Sequence, residues 1–130
     1  EKGFQIIGLK MIHIAETLAR KHYAEHEGRD FFESLVKYTT SAPVLVIVLK
    51  GKNVVEIARK MMGATFGFRA EPGTIRGDYA VSNRFNLIHG SDSLASAERE
   101  IGIFFHKGEL FEYDPADLTW VYDISTGDIV

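Results

Sequence analysis

The sequence predicts an α/β or α+β sandwich, with helices packed against one sheet. Three observations carry this. Val44–Leu49 (VLVIVL) is apolar at every position, as in a strand buried on both faces. Phe4–Ile14 (FQIIGLKMIHI) is β-branched and apolar with partial alternation, as in a second strand. Segments of helical spacing separate and follow these two.

The elements follow in chain order. Ala15–Glu27 is expected to be a helix with Ile14, Leu18 and Tyr23 near one face, Glu16 early, basic residues late, and Gly28 as its stop. Asp30 is placed to cap a second short helix, in which Phe31, Leu35 and Tyr38 recur at i, i+4, i+7. After the Val44–Leu49 strand, Gly51-Lys52-Asn53 turns the chain. Val54–Met62 then reads as a helix turning Val54, Ile57, Ala58 and Met61/Met62 inward and stopped by Gly63. Ala64–Arg84 shows no period and reads as a long loop of the kind that is usually functional. Asn86-Leu87-Ile88 reads as a very short strand. Asp92 or Ser93 can cap a helix Leu94–Phe105 with a stripe of Leu94, Ala97, Ile101 and Phe104. Lys107–Val130 holds enough apolar residues to pack across the surface. Three strands are few for so many helices, and the opening Glu1-Lys2-Gly3 reads as the tail of a helix. Both observations lead us to expect a single domain, 1–130, that begins downstream of an N-terminal strand.

Bulk composition narrows the functions. With 130 residues there is one domain with a real core. Hydrophobic residues at 45% and charged residues at 25% match a globular protein. The absence of cysteine excludes disulfides, thiolate metal sites and thiol nucleophiles, and suits a reducing compartment. A formal net charge of −3 argues against general nucleic-acid binding. The longest strongly apolar run, Pro43–Leu49, is too short to span a bilayer.

The chemistry concentrates in Asn86–Glu100 (NLIHGSDSLASAERE). A strand delivers His89 to a glycine turn and a capped helix follows at once, with a helix N-terminus that suits phosphate. Glu100 lies one to two turns into that helix, where it can reach back to the imidazole and fix its tautomer. A histidine nucleophile with an orienting carboxylate is a sound arrangement for covalent phosphoryl transfer. A capping turn with a surface histidine is the alternative. Arg59, Thr65 and Arg76 are candidate phosphate ligands, since a guanidinium fork binds two oxygens at once. Taken singly, Arg59 is better read as a solvated helix residue and Arg76 as a loop ion pair. His22-Tyr23-Ala24-Glu25-His26 matches H-x-x-E-H, a zinc-peptidase pattern. A zinc site there needs a third protein ligand, and no helical Glu motif follows. No G-x-x-x-x-G-K-[ST] or G-x-G-x-x-G loop is present.

Several blocks together resemble the nucleoside diphosphate kinase family. They are Asn86-Leu87-Ile88-His89-Gly90-Ser91-Asp92-Ser93 with Ser96–Ile101, Pro72-Gly73-Thr74-Ile75-Arg76-Gly77-Asp78, His22–His26, Phe31-Phe32, Arg59–Thr65, and the final Thr119-Trp120-Val121-Tyr122. The resemblance implies a ferredoxin-like fold, an antiparallel sheet covered by helices. It implies a ping-pong kinase that moves the γ-phosphoryl group from a nucleoside triphosphate, typically ATP, to a nucleoside diphosphate. His89 would be the nucleophile, Glu100 would orient its ring, Ser91 would support that network, and Tyr23 would sit beside the reacting phosphate. Arg59, Thr65 and Arg76 would bind phosphates, His26 would lie near the α-phosphate, Phe31 would stack on the base, and Asn86 would bind the ribose 3′-hydroxyl. Mg2+ would bridge the phosphates, held mainly by the nucleotide. A cytoplasmic homo-oligomer is implied, a hexamer in preference to a tetramer, with no membrane and no specific nucleic-acid partner. A nucleotide-binding or scaffolding relative without turnover is the other reading. The chain departs from the family pattern at Phe66, Phe68 and Asn83, and in lacking the opening strand with its Lys; Lys10 belongs to the following strand and does not replace it.

Overall fold

The computed structural model describes residues 2–125; Glu1 of the expected helix tail and the last five residues of the expected surface-packing tail lie outside them. Two strands, β1 (Gln5–Ile12) and β2 (Val44–Lys50), form an antiparallel pair with Leu9 opposite Ile47 and Met11 opposite Leu45. A bulge between Ile6 and Gly8 leaves Ile7 unmatched in the register. The Ile7 carbonyl instead accepts the Phe111 amide at 2.8 Å, so the chain after the last long helix runs along β1. Tyr113 donates its hydroxyl to Ile6 O at 2.8 Å, and Lys10 pairs with Glu109 at 2.7 Å. The expected surface-packing tail is therefore present in the described part, although Trp120, in the short helix α6 (Leu118–Val121), is 89% exposed.

The helices between the strands are α1 (Glu16–His22) and α2 (Phe32–Thr39). After β2 come α3 (Val54–Met62), the one-turn α4 (Ile75–Tyr79) and α5 (Leu94–Phe104). The core joins Ile14, Ala19, Phe32 and Val36, with Ile12, Leu18, Tyr23, Val44 and Phe104 packed on it. It sits between α1, α2, α5 and one end of the sheet, and it fixes the end of α1 relative to α5. Among the described residues no helix is long and apolar enough to cross a membrane.

Several sequence expectations are corrected. The helix from Ala15 stops at His22, because Tyr23 (φ −99°, ψ 20°) turns the chain into a 3-10 turn, Ala24–His26. The cap of α2 is Phe31, not Asp30, and has no side-chain bond; backbone turns such as Phe32 N–H to Arg29 O at 3.0 Å lead into the helix instead. The buried stripe of α2 is Phe32 and Val36, one position on from Phe31 and Leu35. On α5, Leu94 is exposed; the stripe begins at Ala97. β2 is buried on one face only. Leu45 and Ile47, with Ile6, Leu9 and Met11 of β1, form a bare apolar face, 45–69% exposed. Ala64–Arg84 is not one loop: it contains the turn Gly67–Arg69 and helix α4. Asn86-Leu87-Ile88 is not a strand, because Leu87 adopts a positive φ of 68°.

Candidate active site

Helix α5 starts where its sequence allows it to. Ser93 is extended (φ −151°, ψ 166°) and its hydroxyl accepts the Ser96 amide at 3.1 Å, while Ser96 donates its own hydroxyl to Asp92 at 2.6 Å. That bond, above all, holds the Asp92 carboxyl below its ordinary range. From this start, the inward stripe of α5 brings Glu100 to the residues just before the helix. Glu100 Oε1 lies 3.0 Å from His89 Nε2, and Ser91 donates its hydroxyl to Glu100 Oε2. The carboxylate is only 12% exposed whereas His89 is 48% exposed. A proton on Nε2, donated to the carboxylate, leaves the lone pair on Nδ1. The imidazole is thus an anchored base with a free nucleophilic nitrogen open to solvent.

His89 is reached through a tight backbone reversal. Leu87 has φ +68°, in the left-handed region, and the Ile88 amide bonds back to Asn86 O at 2.8 Å. An i to i+2 bond around a residue of positive φ is a γ-turn, a strained form that needs outside support. Arg76 gives it. Its guanidinium, 6% exposed, donates to Asn86 O (3.3 Å), Ile88 O (2.6 Å) and Gly63 O (3.0 Å), tying the two flanks of the turn to the end of α3.

Helix α4 exists to hold that arginine. Thr74 caps it by accepting Gly77 N–H at 3.0 Å and donating its hydroxyl to Glu71 O at 2.6 Å, and Asp78 accepts the Gly73 amide at 2.8 Å. Gly63 is required at its place by φ +86°, which ends α3 and exposes the carbonyl that Arg76 uses. Gly90 packs closely on α3: a Cβ there would sit 2.6 Å from Met62 Sδ, so the methionine side chain would have to move.

Arg59 donates to Gly90 O at 3.2 Å. Burial first, and then the neighbouring Arg59 charge, lower the Arg76 pKa. Neither arginine forms an ion pair with a carboxylate among the described residues. Two adjacent cations without counter-ions make a site for an anion beside His89. Asn86 donates its amide to Thr65 O at 3.1 Å, bringing those two together. On the other side, Tyr23 lies with its ring 6.1 Å from that of His89; its hydroxyl receives one from Thr39 at 3.5 Å, and burial raises its pKa so that it stays neutral. His26 follows at 6.3 Å from Tyr23, and Phe31, 43% exposed, lies 5.5 Å from His26. The residues singled out from sequence thus fall into two walls flanking His89, the arginines on one and an aromatic run ending at Phe31 on the other.

Two residues of the site were not singled out. His22, the last residue of α1, is 4% exposed, with its ring 4.7 Å from His89 and its Nδ1 3.8 Å from Glu100 Oε1. Burial, and then the nearby His89 charge, push its pKa down to about 4, so it is neutral. The sequence marks His22 only as part of the H-x-x-E-H pattern and of the family-like block His22–His26, without a role, and the structure turns it towards Glu100. Arg99, which lies in the family-like block Ser96–Ile101 without an assigned role, bridges Glu25 (3.2 Å) and Glu100 (3.9 Å), linking the 3-10 turn to α5.

An antiparallel α/β sandwich with a carboxylate-anchored histidine beside a pair of unpaired arginines has the equipment of a phosphotransferase. Comparison with known proteins specifies which. Residues 1–110 match the family model described as nucleoside diphosphate kinase. The nucleoside diphosphate kinase of Pelotomaculum thermopropionicum is 56% identical over 123 residues, 95% of this chain and 83% of that protein. That of Desulforamulus reducens is 54% identical over the same shares. The structure of a halophilic nucleoside diphosphate kinase from Halobacterium salinarum in complex with CDP superposes with a TM-score of 0.91 at 46% identity, covering 94% of this chain and 82% of that one. The chain belongs to the nucleoside diphosphate kinase family, and its fold is the ferredoxin-like α/β sandwich.

Proposed function

We propose that the chain is a nucleoside diphosphate kinase whose phosphoryl carrier is His89. The observation that supports it most is the Ser91–Glu100–His89 chain of hydrogen bonds, which directs the Nδ1 lone pair outward. In the first half-reaction Nδ1 attacks the γ-phosphorus of a nucleoside triphosphate, the P–O bond to the β-phosphate breaks, and a nucleoside diphosphate leaves. In the second, a terminal oxygen of another diphosphate attacks the phosphorus of phosphohistidine, and the N–P bond electrons return to Nδ1. Glu100 stabilises the positive ring that exists between the two steps, by accepting from Nε2–H throughout. Such transfer depends mostly on positioning and charge neutralisation.

Arg59 and Arg76 neutralise the phosphates, with Thr65 beside them; three backbone carbonyls hold the Arg76 guanidinium in place. Tyr23, neutral, borders the reacting phosphate, and His26 lies towards the α-phosphate. Phe31 offers an exposed ring to any base, since every base has a π-face. Asn86 takes the ribose 3′-hydroxyl. Mg2+ arrives on the nucleotide as part of the substrate: the donor cluster at His89 is two imidazoles and one carboxylate, and magnesium prefers oxygen ligands. We place the activity in one domain spanning 1–130, in the cytoplasm, in a homo-oligomer for which a hexamer is favoured over a tetramer.

The test is intact-protein mass spectrometry after mixing the chain with Mg·ATP, before and after GDP. One phosphoryl adduct is expected with ATP, disappearing on GDP addition, and none in His89→Ala. An adduct that survives in His89→Ala, or folded wild-type protein that forms none, would overturn the reading.

A further inference from the structure

We propose that His22, His89 and Glu100 form a binding site for a divalent transition-metal ion of the zinc type, and that the ion, by binding there, switches off His89 as a nucleophile. The inference rests on His89 being the phosphoryl carrier.

Three donors on three separate segments converge here, one ligand atom from each, all within 4.8 Å of one another. His22 Nδ1 is buried and has no hydrogen-bond partner among the described residues, a costly state for a polar atom. It is aimed at Glu100 Oε1, 3.8 Å away, and the same oxygen lies 3.0 Å from His89 Nε2. An ion in the middle of a tetrahedral site, at about 2 Å from each ligand, separates neighbouring ligand atoms by about 3.3 Å. These two separations, 3.8 and 3.0 Å, bracket that value, so small side-chain rotations admit the ion. Two imidazoles and a carboxylate are the ligand set of an open zinc site, with the fourth position left to solvent. The cluster is unsuited to Mg2+ or Ca2+, which take oxygen donors.

The consequence for His89 follows from proton bookkeeping on one ring. In the free protein Nε2 carries the proton and Nδ1 the lone pair. A metal ion needs the Nε2 lone pair, so the proton moves to Nδ1 through solvent and the ring stays neutral. The nitrogen that attacks phosphorus is then blocked by a proton. The converse also holds. With a phosphoryl group on Nδ1, the ring proton on Nε2, hydrogen-bonded to Glu100, has no second nitrogen to move to and must leave as H+ before the ion can bind. Phosphorylation and metal binding therefore oppose each other on opposite sides of the same imidazole.

The experiment is zinc titration of the full chain near pH 7.5, without nucleotide, by competition with a chromophoric chelator. One Zn2+ per chain is expected, with no comparable binding of Mg2+. His22→Phe is expected to weaken zinc by at least about 100-fold. Should that variant fail to fold by circular dichroism, the wild-type chain phosphorylated on His89 supplies the same test, and zinc binding is expected to weaken on phosphorylation. Ring 15N shifts should place the His89 proton on Nδ1 when zinc is bound. The proposal is overturned by wild-type protein that binds no zinc at one equivalent, by undiminished binding in folded His22→Phe, or by phosphorylated protein that binds zinc as tightly as the free form. Because binding is read without turnover, a negative zinc result leaves the kinase reading standing. A positive zinc result in protein that never phosphorylates counts against the kinase reading alone.

Discussion

In the proposed mechanism His89 acts only while its proton is held on Nε2, and Glu100, 3.0 Å away, is the group placed to hold it there. Glu100→Gln keeps a hydrogen-bond acceptor but removes the charge that stabilises the positive ring of the intermediate. We expect kcat to fall by roughly 10- to 100-fold with little change in KM, measured by stopped-flow transfer from ATP to a diphosphate; an unchanged kcat would show that the carboxylate is dispensable. His22 carries a different cost. Its pKa in the fold is about 4 against 6.5 unfolded, because burial disfavours the cation. His89, Arg99 and His26 oppose its protonation and Glu100 alone favours it. The contribution of neutral His22 to stability is therefore complete above pH 6.5 and is lost as pH falls from there to about 4. We expect wild-type stability to drop by a few kcal/mol at most over that window, beyond any drop in His22→Phe. Urea unfolding at pH 7.5 and pH 4.5 checks it, and equal pH slopes in the two proteins would refute it.

Among the elements, α4 has the largest effect for its size. Its five residues place Arg76 so that three buried or part-buried backbone carbonyls converge on one guanidinium. Arg76→Lys supplies a point charge where a planar fork is needed. We expect a loss of about 3 kcal/mol or more, from carbonyls left without donors around a strained γ-turn, together with a fall in phosphoenzyme formation. Thermal unfolding and the mass assay measure the two, and a melting temperature within a degree of wild type would contradict the first. How legible these elements were in the sequence depended on whether the signal was periodic or local. The cap at Ser93, the stop at Gly63 and the inward Glu100 were readable, because capping and helical spacing depend on near neighbours. Helix α4 was not, since a single turn containing glycine and preceded by Pro-Gly shows no period. Leu87 was missed for the opposite reason: its β-like composition suggested a strand, and only the Arg76 clamp, ten or so residues away in sequence, sustains its positive φ. The one-residue shift of the α2 stripe arose because Phe31 turns out of the core towards His26.

For the whole molecule, the outward face of the sheet is the main open question of stability. A two-stranded sheet with one wet apolar face is weakly held by itself. In a homo-oligomer stability depends on protomer concentration, so we expect the melting temperature to rise with protein concentration and light scattering to give a mass above that of one chain. A concentration-independent midpoint with a monomer mass would rule out the assembly. Trp120, the single tryptophan, has a separate consequence for how any of this is observed. At 89% exposed, its indole already emits from water within the folded chain, so unfolding leaves its emission maximum nearly where it was. Fluorescence is a poor reporter of folding here, and that quiet background is an advantage elsewhere. A second indole installed as Phe31→Trp, where a base would lie, would report nucleotide arrival as quenching against a signal that does not move.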